Sequence, residues 1–275
     1  MTAPASARAG SAFSFTVTAL DQFNNTATSY AGTVHFTSSD GNATLPADST
    51  LTNGTGTLSA TLRTAGNQTI TATDTVTSSI TGTSNTIAVS AASATHFSVS
   101  APASATAGVA FSFTVTALDQ FNNTATGYAG TVHFTSSDGS AVLPANSTLT
   151  NGTGTFSATL NTGGNQTITA TDTVTSSITG TSSTIAVSGG SATHFTVSAP
   201  ASATAGSAFS FTVTALDQFN NTATGYGGNV HFTSTDSAAT LPANSTLTNG
   251  VGTFSATLKT AGNQRSEERR VGKEC

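Results

Sequence analysis

The sequence repeats itself. The segment AFSFTVTALDQFNNTAT runs from Ala12 to Thr28, again from Ala110 to Thr126, and again from Ala208 to Thr224. The offset is 98 residues both times (110 − 12 and 208 − 110). A second string, QTITATDTVTSSITGTS, starts at Gln68 and at Gln166 with the same spacing. A solenoid rung spans roughly 20–50 residues, so a period of 98 is a whole domain repeated in tandem.

This period divides the chain into a first repeat at 1–93 with most of its first strand missing, a complete repeat at 94–190, and a third at 191–264 that lacks its last two strands. Met1 aligns with Val99 and Val197, as a valine codon read as a start would. The remaining 265–275, RSEERRVGKEC, has a different composition and resembles translated read-through of a sequencing adapter. It is expected to be non-biological and to take no part in the fold.

Charge narrows the function. Without the tail, 264 residues carry three cations (Arg8, Arg63, Lys259) and nine aspartates. Three cations cannot neutralise a run of phosphates, which excludes nucleic acid as partner. No run approaches the roughly 18 apolar residues of a membrane span. The single cysteine, Cys275, excludes a disulfide framework. The straight-chain helix formers Glu and Lys are almost absent, whereas Thr, Val, Ile and the 16 Phe suit strands.

Alternation places the strands of the middle repeat. Phe97 and Val99 mark strand A, which Pro102 and the following SATAG break. Phe111, Phe113, Val115 and Ala117 alternate with Ser and Thr in strand B. DQFNNTATGYAG reads as a loop, and Val132 and Phe134 mark strand C. Weak strands flank Pro144, at 141–143 and 147–150. Phe156, Ala158 and Leu160 give strand E, Ile168 and Ala170 strand F, and Ile185 and Val187 strand G. Gly163, Gly164 and Asn165 read as a turn, and 172–181 as a connection. Seven or so short strands with one apolar face predict an all-β fold of tandem immunoglobulin-like Greek-key sandwiches, with Phe113, Phe134 and Phe156 in the central layer. Without strands F and G, one sheet of the third repeat is expected to lose two members and strand C to gain an open edge.

Few residues could carry chemistry. The body has no glutamate, and the complete repeat has no Lys or Cys nucleophile. Its only carboxylates are Asp119, Asp138 and Asp172, so no catalytic site and no enzyme activity are expected, and no cofactor. Asp119, Asn122 and Asn123 with Asp172 could start an inter-domain calcium site; the alternative is Asx-turn chemistry. His96 and His133, with His35, His194 and His231 in register, read as surface residues on different sheets. Phe121 and Tyr128 flank the B–C loop. They would either stack on a sugar or, respectively, plug the pole of their own core and cap strand C. The Asn-x-Thr/Ser triplets at Asn146 and Asn151 are expected by chance in so Thr-rich a chain.

The segment FSFTVTALDQFNNTATGYAGTVHFTSSD resembles bacterial Ig-like repeats of large surface proteins, and more distantly invasin-type and filamin-type repeats. The resemblance rests on strand B, the D-x-x-x-N turn, the G-x-V strand C and the closing I-T-A-T-D and I-x-V strands. It implies a cell-surface, extracellular stalk or adhesin whose nearest partners are neighbouring repeats, with any host or matrix ligand bound by flanking domains. A carbohydrate- or host-protein-binding module, or an accessory domain of a secreted enzyme, are the alternatives. Short linkers at 90–95 and 188–193 put successive repeats in or near contact.

Overall fold

The computed structural model describes residues 1–270, and every described element is a strand. Cys275, with the rest of 271–275 of the predicted tail, lies outside the described residues.

The middle repeat shows the unit in full. Its strands are β1 (His96–Ser100), β2 (Ser104–Thr106), β3 (Ala110–Leu118), β4 (Thr131–Ser136), β5 (Ser147–Thr148), β6 (Thr153–Thr159), β7 (Gly164–Gln166), β8 (Ile168–Asp172), β9 (Thr179–Thr181) and β10 (Ile185–Ser188). One sheet has the order β1–β3–β6 and the facing one β5–β4–β8–β9, both antiparallel. In a smaller mixed sheet β10 lies between β2, to which it is parallel, and β7, to which it is antiparallel. The inward residues of these strands form one core, centred on Phe113, which is 1% exposed. The rings of Phe113, Phe134 and Phe156 sit 4.7–5.8 Å apart, as expected. Burying a ring of this size is worth about 2–3 kcal/mol.

Four sequence expectations change. Gly164–Gln166 is a strand and not a turn: Gly164, at φ +107, bends the chain, and the free edge of β10 then offers a ladder. The 172–181 connection contains β9, held on β8 by the threonine pairs Thr169–Thr181 at 2.9 Å and Thr171–Thr179 at 3.0 Å. The break after Pro102 contains β2, where three residues suffice because β10 supplies the partner edge. Strands F and G (β8 and β10) belong to different sheets, so they do not stand or fall together.

Repeat 1 keeps the same registers shifted by 98, for example Val34 opposite Asp74 where the middle repeat has Val132 opposite Asp172. Its counterpart of β1 is reduced to one bridge between Thr2 and Thr16. In repeat 3 the expected open edge of strand C is covered. Ser266–Arg270, part of the tail that was to take no part, pairs with Asn229–Ser234 in the register of β8 on β4. An unpaired strand edge accepts any extended backbone, whatever its side chains. The place of β10 is different. Between 202–204 and 262–264 lies an open cleft of about 530 Å³, lined by Phe209, Phe211, Phe232, Leu241, Ala256 and Leu258 among others.

Repeat 3 buries 8 apolar residues in its core cluster among the described residues, against 16 in the middle repeat. That difference predicts that repeat 3 unfolds first. Urea titration of the full chain should give a lower transition, assigned to 191–264 by hydrogen exchange. Simultaneous loss of protection in all three repeats would contradict it.

Candidate functional site

The DQFNN loop leaves β3 and turns on itself. Asp119 Oδ1 accepts the backbone N–H of Phe121 at 2.8 Å and of Asn123 at 2.9 Å. Asp119 N–H in turn donates to the Asn123 carbonyl at 2.9 Å. Asn122 takes φ +66, a left-handed conformation that asparagine tolerates better than most residues. These bonds fix the loop from within, and they aim Phe121 and Asn123 away from their own core.

Both residues enter repeat 1. Phe121 packs against the core cluster of repeat 1 and lies over Gly10, where a Cβ would come within 2.6 Å of the ring. Gly10 also has φ +78, so glycine is required there on two counts. The Arg63 guanidinium stands 5.8 Å from the centre of the Phe121 ring, a cation–π contact worth about 0.5–1 kcal/mol when exposed. Asn123 spans the two repeats with its amide: Oδ1 accepts Ala65 N–H at 2.8 Å and Nδ2 donates to the Arg63 carbonyl at 2.7 Å.

Asp119 joins this contact to the linker. Its Oδ2 accepts Ala92 N–H at 2.8 Å and Asn123 Nδ2–H at 2.9 Å. The carboxylate is 0% exposed, and four N–H groups occupy its two oxygens. Burial alone would raise its pKa. The Asn123 side chain and the N–H groups of Ala92, Asn123 and Phe121 outweigh it, and the net shift is downward.

The receiving segment is held in the same manner. Asp40 Oδ2 accepts Arg63 N–H at 2.6 Å and Thr64 N–H at 3.0 Å, which orients the Arg63 carbonyl and Ala65 N–H toward Asn123. A chain of hydrogen bonds thus runs from Asp40 through 63–65 and Asn123 to Asp119 and the linker.

The second junction repeats the first. Asn221 Oδ1 accepts Gly163 N–H at 2.7 Å, Asn221 Nδ2 donates to the Asn161 carbonyl at 2.8 Å, and Asp217 Oδ2 accepts Gly190 N–H at 2.8 Å. Phe219 lies over Gly108. It is 36% exposed, and Asn161 stands where repeat 1 has Arg63.

The other candidates separate from this site. Asp172 has partners of its own. It accepts the Tyr128 hydroxyl on Oδ2, and the N–H groups of Val174 at 2.8 Å and Thr175 at 2.7 Å on Oδ1. Asp119 and Asp172 thus each accept backbone N–H groups of their own turns, the Asx-turn arrangement. No group of three His, Cys, Asp or Glu stands ready for a metal among the described residues. Tyr128 closes its own core, packed edge-on to Phe97 at 5.4 Å. Its pKa is pushed up by burial and by the Asp172 carboxylate. His133 is exposed and bonded to Asn146 at 2.8 Å, on the sheet facing that of His96. Phe121 corrects its expectation: it plugs the neighbouring core and not its own. The pattern D-x-F-x-N read as a turn, and nothing in it revealed that the turn's outer face was an interface.

No protein-family model and no curated protein sequence matches the chain. Solved structures do. The Escherichia coli adhesin FdeC is similar over 99% of this chain and 92% of its own, at 20% identity and TM-score 0.47. Invasin, a bacterial integrin-binding protein, is similar over 97% of this chain and 55% of its own, at 18% identity and TM-score 0.39. InvD of Yersinia pseudotuberculosis is similar over 98% and 81%, at 17% identity and TM-score 0.35.

Asn123→Ala should remove both inter-repeat hydrogen bonds at a cost of about 1–3 kcal/mol and leave the repeats folded. Hydrogen exchange should show Ala65 N–H losing protection while Gly163 N–H, at the other junction, keeps it. Equal protection of Ala65 in both proteins would refute the bridge. Acid should act likewise. A carboxyl whose folded pKa is depressed stabilises above its unfolded value, near about 4, and loses that contribution as pH falls through the folded value. Ala92 and Ala65 should therefore lose protection below about pH 4 before the β3–β6 core opens.

Proposed function

We propose that this chain is a segment of an extracellular bacterial stalk, in which tandem Ig-like sandwiches hold distance and the junctions between them restrict bending. The observation that carries this reading is the seating of Phe121 and Asn123 in repeat 1, reproduced 98 residues later by Phe219 and Asn221 in repeat 2. A chain selected only to fill length needs no such contact. A linker left free would let neighbouring domains reorient, which is the default for small interfaces.

The chemistry of the site supports positioning over reaction. The buried carboxylates Asp119 and Asp138 are saturated by N–H and O–H donors and held as anions, which suits a structural post. A low-charge, Thr-rich surface adds little electrostatic attraction for passing macromolecules. No helix among the described residues is long and apolar enough to cross a membrane. The Phe121 ring, considered for sugar stacking, packs against repeat 1, which supports a positioning role for this loop.

Small-angle scattering of the full chain tests the proposal. Phe121→Ala with Phe219→Ala should lower the maximum dimension and broaden the distance distribution, with each repeat still folded by circular dichroism. Identical scattering from both proteins would remove the stiffening role. Reproducible sugar binding on a glycan array would replace the spacer by the ligand-binding reading.

A further inference from the structure

The two internal junctions share their bridging bonds and differ in what surrounds them. Two of the three cations outside the tail, Arg8 and Arg63, belong to repeat 1 and stand at the first junction. Arg8 Nη2 donates to Ser93 Oγ at 2.7 Å, which ties repeat 1 to the linker. The Arg63 guanidinium approaches the Phe121 ring and donates from Nη1 to the Asn42 carbonyl at 2.6 Å. At the second junction the aligned residues are Thr106 and Asn161, and neither carries a charge.

Asn161 Nδ2 donates to the Ser140 carbonyl at 2.6 Å, the counterpart of the bond from Arg63 to Asn42. Its Oδ1 is buried, and no donor among the described residues meets it. A guanidinium brings donors only and leaves no such acceptor. The backbone differs too. Gly163 stands where repeat 1 has Ala65, and Gly189 and Gly190 stand where the first linker has Ala91 and Ala92. Gly163 and Gly190 donate the N–H groups that close the second junction, to Asn221 Oδ1 at 2.7 Å and to Asp217 Oδ2 at 2.8 Å. Glycine regains more backbone freedom than alanine when such a bond opens, which favours the open state.

We propose that the second junction is the hinge of this chain: it opens locally before the first, and the chain bends there. The inference deepens the stiffening role proposed above and rests on it. Opening the first junction breaks the Asn123 and Asp119 bonds, and with them the Arg8–Ser93 bond and the cation–π contact of Arg63. Opening the second breaks the counterparts of the Asn123 and Asp119 bonds and also returns Asn161 Oδ1 to water, which offsets part of the loss. The shared DQFNN loop is unchanged. Residues outside it, at 8 and 106 and at 63 and 161, together with the glycines, set the difference.

Hydrogen exchange of the full chain reads both junctions side by side. After correction for intrinsic rates, Ala65 and Ala92 N–H should be protected about tenfold or more over Gly163 and Gly190 N–H, as one buried acceptor and one ring contact imply. Gly163 N–H should also exchange faster than the slowest N–H groups of Ala208–Leu216, which separates opening of the junction from unfolding of repeat 3. Asn161→Arg with Thr106→Arg should raise the protection of Gly163 and Gly190 and leave Ala65 and Ala92 unchanged. Arg63→Asn with Arg8→Thr should lower that of Ala65 and Ala92. Bending is read from distance distributions between spin labels at exposed, aligned positions in a Cys275→Ser background. Ala47→Cys with Ala145→Cys spans the first junction, and Ala145→Cys with Ala243→Cys spans the second. The second distribution should be the broader, and Asn161→Arg with Thr106→Arg should narrow it. Equal protection at the two junctions, or exchange of Gly163 only with the core of repeat 3, overturns the proposal. Two equally narrow distributions overturn the hinge and keep the stiffening role; two equally broad ones remove both.

Discussion

A carboxylate removed from water keeps its charge only if donors fill its lone pairs, and Asp119 is filled from three directions. Its own loop gives two backbone N–H groups, the linker gives Ala92 N–H, and the Asn123 side chain gives the fourth. That side chain is itself bonded to repeat 1. Neighbouring repeats are therefore coupled through one buried charge. Disturbing any of the three segments leaves an unpaired donor or an under-solvated anion, which costs more than the bond itself is worth.

The arrangement is economical in sequence. A five-residue loop supplies the turn, the ring and the amide, and a glycine with a short backbone segment supplies the receptor. Both halves are carried by every repeat, so each copy can engage the one before it and the one after. The copies differ at the position facing the ring: Arg63, Asn161, Lys259. At the second junction Asn161 replaces the arginine and buries its own Oδ1 with no hydrogen-bond partner among the described residues.

Much of the sandwich was legible because alternation reports burial directly. Phe113, Val115 and Ala117 must face one way if Thr114 and Thr116 face the other, and the three-phenylalanine core followed. The short strands were not legible. Gly164–Gln166 and Ser104–Thr106 have turn compositions, and they are strands only because Ile185–Ser188 lies between them and offers both of its edges. Thr179–Thr181 depends in the same way on the threonine row of Ile168–Asp172. Pairing of this kind is a property of two distant segments and leaves no period in either.

The sequence by itself determined the repeat length, the all-β class and the hydrophobic core, since each follows from composition or from local order along the chain. Only the tertiary structure decided where Phe121 and Asn123 go. A loop residue with its side chain turned outward looks the same in sequence whether it meets solvent or a neighbour, and the difference arises from the path of a six-residue linker. That path brings 63–65 of one repeat against 119–123 of the next, and no local interaction encodes it.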